Sequence, residues 1–119
     1  MLFRSFFSSP AVNERIVLIG SRDKSLHAID RVKGEAVWKF RTGGRVEGSP
    51  ILFEDAVAFG SADGRLYAAE LAAGAELWRL ELGEALVASP AFGSGLIVIG
   101  GEKGTVFAVR GGPAPASAR

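Results

Sequence analysis

His27 is the only histidine in the chain, and two residues suited to nucleophilic catalysis stand near it. Together with Ser25 and Asp30 it supplies the residue types of a hydrolase triad, in which histidine takes the serine proton and the carboxylate orients the imidazole. All three residues fall within one predicted strand, where alternate side chains point to opposite faces. The residues 40 and 80 positions later are Tyr67 and Phe107, so we expect His27 to pack as a flat side chain rather than to catalyse.

Acidic side chains are the only other candidates for a reactive or metal-binding site. Calcium takes about six to eight oxygen ligands around one cavity, whereas the candidate carboxylates are spread along the chain at Asp23, Asp63, Glu102 and the pair 54–55. Asp23 and Asp63 stand in turn sequences, where aspartate bonds its own backbone. The chain has no cysteine, which excludes disulfides, thiolate metal sites and a cysteine nucleophile. We therefore predict no metal and no cofactor.

The segment 100–105 has the sequence G-G-E-K-G-T and resembles a phosphate-binding loop only in its glycine content. The G-x-x-x-x-G-K-[ST] spacing that would cradle a phosphate is absent. Two predicted strands flank the segment. It is therefore predicted to be a hairpin turn.

Composition limits the remaining function classes. The chain has 119 residues, 48% of them hydrophobic, and a net charge of +1. It is long enough for one domain with a core, and its balanced charge leaves no footprint for nucleic acid or an anionic membrane. Its apolar runs are too short to span a bilayer, and the N-terminal segment lacks the pattern of a signal peptide.

A repeat of 40 residues organises the whole sequence. Placing residues 3–42 over 43–82 gives 11 identities, which include Ser9-Pro10 with Ser49-Pro50 and Trp38 with Trp78. Such self-similarity indicates a repeat architecture. The middle unit predicts four short strands over 46–53, 56–60, 65–70 and 76–82, the second covered on both faces and the fourth half-solvated. Four antiparallel strands in about 40 residues are typical of a β-propeller blade.

The third unit follows the repeat only as far as Ala108. We predict an all-β chain of about two and three-quarter blades, with blades over 3–42, 43–82 and 83–110 and a Gly/Pro/Ala tail over 111–119. A closed propeller has about four to eight blades. The chain alone is therefore predicted to be an incomplete propeller.

Two copies of one motif carry a resemblance to a known family. Residues 28–38 read A-I-D-R-V-K-G-E-A-V-W and residues 68–78 read A-A-E-L-A-A-G-A-E-L-W, both on the pattern AxDxxxGxxxW with glutamate for aspartate in the second copy. This pattern resembles the tryptophan-docking motif of the PQQ-like (quinoprotein) β-propeller repeats. The resemblance implies that each tryptophan packs on the next blade and that each glycine keeps a turn tight. The implied docking residues are Ala28, Asp30, Gly34, Trp38, Ala68, Glu70, Gly74 and Trp78.

Members of that family include quinone-dependent dehydrogenases, sensor propellers of bacterial serine/threonine kinases, and non-enzymatic scaffolds such as the propeller lipoprotein of the outer-membrane β-barrel assembly machine. For a chain of the alcohol-oxidising dehydrogenase type, the resemblance implies a vicinal cysteine pair and a calcium ion held by asparagine and acidic side chains. This chain has no cysteine and one asparagine, Asn13. We therefore predict a non-enzymatic scaffold that presents loops near Arg22, Arg45 and Glu102 to a protein partner. A dehydrogenase fragment and a kinase sensor are the alternatives.

The predicted partners are other proteins, further blades of the same propeller, or copies of this chain that complete a ring. By the resemblance, a periplasmic or cell-envelope location is expected.

Overall fold

The computed structural model describes residues 11–21, 23–46, 48–86 and 88–110, which form eleven strands in three sheets. Blade 1 consists of β1 (Ala11–Val12), β2 (Ile16–Gly20), β3 (Ser25–Asp30) and β4 (Ala36–Arg41). Blade 2 consists of β5 (Ile51–Phe53), β6 (Ala56–Gly60), β7 (Arg65–Glu70) and β8 (Glu76–Glu81). Blade 3 consists of β9 (Ala91–Gly93), β10 (Leu96–Gly100) and β11 (Val106–Arg110).

Every sheet is an antiparallel meander in which the spatial order of the strands is their chain order. The register repeats between blades: Leu18 faces Ala28 in blade 1, as Ala58 faces Ala68 in blade 2. A β-bulge follows Ala28 and again Ala68, at the strand pair that ends each complete blade. The chain is thus an all-β, incomplete propeller, as the repeat predicts.

The turns between the second and third strands are built as the aspartates predict. Asp23 Oδ1 accepts the Ser25 N–H at 3.1 Å and Asp63 Oδ1 accepts the Arg65 N–H at 3.0 Å. The residue after Asp63, Gly64, has a φ of +88°, which glycine adopts without a Cβ penalty. The segment 100–105 is likewise the hairpin turn between β10 and β11, where Gly101 N–H bonds the Thr105 carbonyl.

The hydrophobic core lies between blades rather than within them. Each blade has a forward face, turned toward the next blade in sequence, and a rear face, turned toward the preceding one. The forward face of blade 1 packs on the rear face of blade 2 through buried residues that include Leu18, Leu26, Phe40, Val57, Phe59 and Tyr67. The forward face of blade 2 packs on blade 3 through residues that include Ala58, Leu66, Ala68, Leu86, Ile97 and Ile99.

Aromatic rings fill the first of these interfaces. Phe40 of blade 1 meets Phe59 and Tyr67 of blade 2 edge to face, each at 5.4 Å between centroids, while Phe59 and Tyr67 stack at 5.5 Å. Such pairs add to the free energy of burial. Because β6 is buried along its entire length, the prediction that this strand is covered on both faces is confirmed.

Two strand predictions need correction. The predicted strand over 46–53 is reduced to Ile51–Phe53, because Pro50 has no N–H to donate and Val46 packs in the core beside Gly20, with its N–H bonded to the Ser21 carbonyl of blade 1. The predicted strand over 76–82 ends at Glu81 and is more exposed than half-solvated, with only Trp78 partly covered. Arg22 and the tail over 111–119 lie outside the described residues.

Candidate interaction surface

Trp38 reaches from the outer strand of blade 1 to the β7–β8 turn of blade 2. Its indole Nε1 donates a hydrogen bond of 2.9 Å to the Leu71 carbonyl. Its ring lies over Gly74, where an added Cβ would come within 2.5 Å of Cδ2. On its own sheet Trp38 is opposite Ala28, whose small side chain leaves room beside the indole. The contact joins two blades through one side chain and one backbone turn.

Gly34 and Gly74 occupy the same place in their respective turns. Their φ values are +72° and +75°, and each N–H bonds the carbonyl four residues earlier at 2.8 Å, that of Asp30 or Glu70. Only Gly74 is covered by an indole, whereas a Cβ at Gly34 would meet nothing within 4 Å. Both glycines therefore serve the turn, and Gly74 in addition allows the close approach of Trp38.

Asp30 and Glu70 hold these turns differently. The Asp30 carboxylate accepts the N–H groups of Val32 and Lys33 at 2.9 and 2.8 Å, and the Lys33 bond in particular holds the pKa of Asp30 below its usual value. Glu70 is exposed, and no side-chain hydrogen bond from it is present in the described part of the chain. The extra methylene moves its carboxylate away from the amides that aspartate reaches.

Trp78 stands opposite Ala68, as Trp38 stands opposite Ala28. It is half-buried against the core between blades 2 and 3. The counterparts of Leu71 and Gly74 in the third repeat fall at positions 111 and 114, outside the described residues. The structure thus brings Trp38, Leu71 and Gly74 together. Among the described residues, Trp78 makes packing contacts but no hydrogen bond through its indole.

A polar seam that the sequence did not reveal crosses from blade 1 to blade 2 at the opposite end of the strands. Asp63 Oδ2 accepts hydrogen bonds from the Gly43 N–H at 2.9 Å and the Tyr67 hydroxyl at 2.5 Å. The buried Thr42 hydroxyl lies 3.1 Å from that of Ser61. The repeat gave a partial signal, because Asp63 recurs as Asp23, but Thr42 has Leu82 as its counterpart and carries no repeat signature.

Burial and hydrogen bonding act in opposite directions on Asp63. Partial burial raises its pKa, but the hydrogen bonds from Tyr67, Gly43, Ser61 and Arg65 together outweigh that effect and leave the pKa below its usual value. The same burial and the carboxylate neighbour raise the pKa of Tyr67. At neutral pH the pair is therefore a hydroxyl donating to an ionised carboxylate, which is a strong hydrogen bond.

The prediction for His27 is confirmed only in part. His27 is half-buried, as expected, but its Nε2 lies 2.9 Å from Asp23 Oδ2, so it has a polar partner in addition to its packing. The Asp30 carboxylate is occupied by backbone amides instead, and the buried Ser25 hydroxyl has no hydrogen-bond partner among the described residues. Ser25, His27 and Asp30 do not form a triad.

A groove of about 560 Å³ runs between blades 1 and 2 beside the Trp38 contact. Its lining includes the carboxylates of Asp30, Asp55 and Glu70 and the cation of Arg15. Nowhere in the described residues do three or more metal-binding side chains come close enough to hold an ion.

Blade 3 exposes an apolar forward face. Val98 and Val106 are 39% and 71% exposed, whereas their blade 2 counterparts, Ala58 and Leu66, are fully buried. None of the described segments forms a helix with the length and apolar character needed to cross a bilayer.

Comparison with known proteins identifies the family. The family model described as outer membrane protein assembly factor BamB matches residues 3–112. The chain belongs to this family. No curated protein sequence matches it at a significant level.

Solved structures share the family fold at low sequence identity. BamB from Moraxella catarrhalis superposes with a TM-score of 0.78 and 23% identity over 89% of this chain. The quinohemoprotein alcohol dehydrogenases of Pseudomonas putida HK5 and Comamonas testosteroni give TM-scores of 0.83 and 0.81 at 19% and 24% identity, over 92% and 91% of this chain. The chain spans 35% of the BamB structure and 20% of each dehydrogenase.

Proposed function

We propose that this chain is a non-enzymatic segment of a larger β-propeller and acts as a protein-interaction scaffold. The observation that carries the proposal is the forward face of blade 3. There Val98 and Val106 are open to solvent, although the repeat buries their counterparts Ala58 and Leu66 beneath the next blade. A contiguous apolar face of this kind marks an interaction site.

The role is steric rather than chemical. Blades 1 and 2 are held together by aromatic packing, by the Trp38 bond to Leu71 and by the polar seam at Asp63. Blade 3 is held to blade 2 by the buried core between them and by the stacked rings of Phe53 and Phe92, so the loops and the open face keep fixed positions. The carboxylates of Asp23, Asp30 and Asp63 are used in turns, and His27 is paired with Asp23. By analogy with the family, whose model is described as an outer membrane protein assembly factor, we propose that the partners are proteins of outer membrane assembly.

The dehydrogenase alternative is tested by titrating the chain with pyrroloquinoline quinone in the presence of calcium and following the absorbance of the quinone. The scaffold proposal predicts no saturable change. Stoichiometric binding would overturn it, because a built quinone site has no place in a purely steric role.

The open face is tested by light scattering after size exclusion, over a range of chain concentrations. Val106→Lys is expected to reduce association, because the charge must be desolvated when the face is covered. Val32→Lys is the matched control, since Val32 is 87% exposed in the β3–β4 turn. Association that both variants leave unchanged would contradict a docking role for this face.

A further inference from the structure

The groove between blades 1 and 2 lies at the end of the strands opposite the polar seam. Its blade 1 wall comes from the β1–β2 turn and the adjoining residues of β2, β3 and β4. Its blade 2 wall comes from the β5–β6 turn, the last residue of β7 and the β7–β8 turn. Both sheets have four strands, and every lining residue lies in the described ranges, so the structure defines both walls.

Two carboxylates occupy adjacent chain segments on the blade 2 wall. Glu70 is opposite Ala56, the residue that follows Asp55. The Asp55 carbonyl also accepts the N–H of the residue after Glu70 at 3.0 Å. Both side chains are exposed, and neither forms an ion pair with any other described residue. Because like charges repel, this wall favours a cation supplied from outside the chain.

The blade 1 wall adds one carboxylate and one guanidinium. Asp30 Oδ1 accepts two backbone N–H groups of its own turn at 2.9 and 2.8 Å, while its Oδ2 accepts no hydrogen bond from the described residues. Arg15 is exposed. Two further cations do not line the groove: the Arg31 guanidinium bonds the Asn13 carbonyl at 3.2 Å, and Lys33 acts on Asp30 from their common turn. The lining thus holds three carboxylates and one guanidinium, an excess of two negative charges.

This excess of negative charge belongs to one junction and not to the repeat. The counterparts of Asp55 and Glu70 in blade 3 are Gly95 and Arg110. Blade 3 nevertheless joins its first two strands by a two-residue turn in the register of blade 2. The blade fold therefore does not require carboxylates at these positions, which points to a contact with another molecule.

Apolar residues lie beside the carboxylates in the same groove. Ile16 is buried, Val37 is 48% exposed and Leu71 is half-buried. Arginine and lysine lay their aliphatic stems on such surface while the charged group stays at a polar rim. At about 560 Å³ the groove has room for several side chains. Since no three acidic side chains of the described ranges come close enough to share a metal ion, their spacing suits separate cationic groups.

From this arrangement we infer that the groove binds an extended segment of a protein partner that carries arginine at alternate positions. Alternate side chains of an extended chain point to one side, so two guanidinium groups reach the groove together. They pair with Asp55, Glu70 and Asp30, and their stems lie along the apolar lining. The inference rests on the proposed scaffold function and specifies the chemistry of one partner.

The probe is the acetylated and amidated peptide G-R-A-R-G, titrated into the full chain and followed by isothermal titration calorimetry. A salt concentration of about 50 mM preserves the attraction between exposed charges, and we expect one peptide to bind per chain. The matched peptide with citrulline in place of both arginines keeps the shape without the charge, and is expected to bind about tenfold or more weakly. The lysine peptide is expected to bind with intermediate affinity, because an ammonium lacks the planar fork that matches a carboxylate.

Variants of the groove use residues that the repeat itself supplies. Glu70→Arg introduces the residue found at position 110, and Asp55→Arg introduces the residue found at position 15, so both are expected to fold. Each is expected to weaken binding of the arginine peptide about fivefold or more, because an attraction becomes a repulsion. Glu102→Arg is the matched control, since it makes the same change in net charge at an exposed position of the β10–β11 turn. If the reversals do not fold, Glu70→Gln replaces them, with an expected weakening of about threefold.

Backbone amide resonances of the chain locate the bound peptide. Binding in the groove is expected to shift the amides of Arg15, Glu70, Leu71 and Ala72 most strongly. Shifts confined to residues outside the lining would overturn the inference, as would equal weakening by Glu70→Arg and Glu102→Arg. No saturable binding by the folded parent chain up to about 1 mM peptide would also overturn it. Spermidine that binds as tightly as the peptide and shifts the same amides would overturn a protein segment as the occupant.

The two proposals fail separately. Loss of peptide binding with no quinone binding removes the groove site and leaves the scaffold role, whereas stoichiometric quinone binding removes the scaffold role.

Discussion

The indole of Trp38 lies so close to Gly74 of the following blade that a Cβ there would come within 2.5 Å of Cδ2. The same indole donates its N–H to the Leu71 carbonyl in that turn. One side chain thus uses both the shape and the backbone polarity of a turn 33 residues away. Gly34 provides an internal comparison, because it has the same turn geometry without an indole on it.

Gly74→Ala is expected to destabilise the chain more than Gly34→Ala. Both substitutions place a Cβ on a residue with positive φ, which costs about 1–2 kcal/mol. Only Gly74→Ala also forces the Trp38 ring to move, and overpacking adds about 1–3 kcal/mol. The free energies of unfolding in urea measure the difference, and equal losses would contradict the close packing of Trp38 on Gly74.

Trp38→Phe is expected to lower the free energy of unfolding by about 1 kcal/mol or more, because the hydrogen bond to Leu71 is lost along with part of the ring contact. Trp38→Ala removes the whole contact and is expected to cost about 3 kcal/mol. Trp78→Phe is the matched control, since no hydrogen bond from the Trp78 indole is present within the described ranges. A loss for Trp78→Phe as large as that for Trp38→Phe would show that the indole hydrogen bond is not the source of the effect.

The repeat was sufficient to predict the blades because each blade repeats its pattern of apolar strands and glycine turns. It also placed Asp23 and Asp63 in turns correctly. What it could not predict depends on single residues that differ between repeats. Thr42 enters the polar seam although its counterpart is Leu82, and His27 pairs with Asp23 where a packed side chain was expected. The strand expected over 46–53 failed for a tertiary reason, because Val46 is drawn between two blades.

Lys24→Gly is expected to stabilise the chain by about 0.5–1 kcal/mol. The free energy gained when glycine relieves the positive φ is larger than the free energy lost through the added backbone entropy of the unfolded state. Lys24 has a φ of +72°, and the repeat has Gly64 and Gly104 at this position with +88° and +94°. Lys33→Gly is the control, because Lys33 is not among the residues with positive φ and glycine there only adds freedom to the unfolded chain. The midpoint temperatures of thermal unfolding of the two variants measure the effect. A lower midpoint for Lys24→Gly than for the parent chain would contradict the assignment of backbone strain to Lys24.

Acid is expected to weaken the seam between blades 1 and 2 through Asp63. Its folded pKa lies below its usual value, because hydrogen bonds from Tyr67, Gly43, Ser61 and Arg65 outweigh the opposing effect of burial. A carboxylate whose folded pKa is depressed contributes stability that is present above its unfolded pKa, near 4, and is lost as the pH falls through the folded pKa. The urea midpoint of the parent chain should therefore fall as the pH is lowered from about 5 to 3.

Asp63→Asn should lower the midpoint at pH 7 and flatten this dependence, while Asp55→Asn, at an exposed position in the β5–β6 turn, is the matched control. Asp23, Asp30 and Glu76 also have lowered pKa values, so part of the acid dependence is expected to persist in Asp63→Asn. A pH profile in Asp63→Asn that is as steep as that of the parent chain would show that the seam carboxylate does not stabilise the junction between the blades.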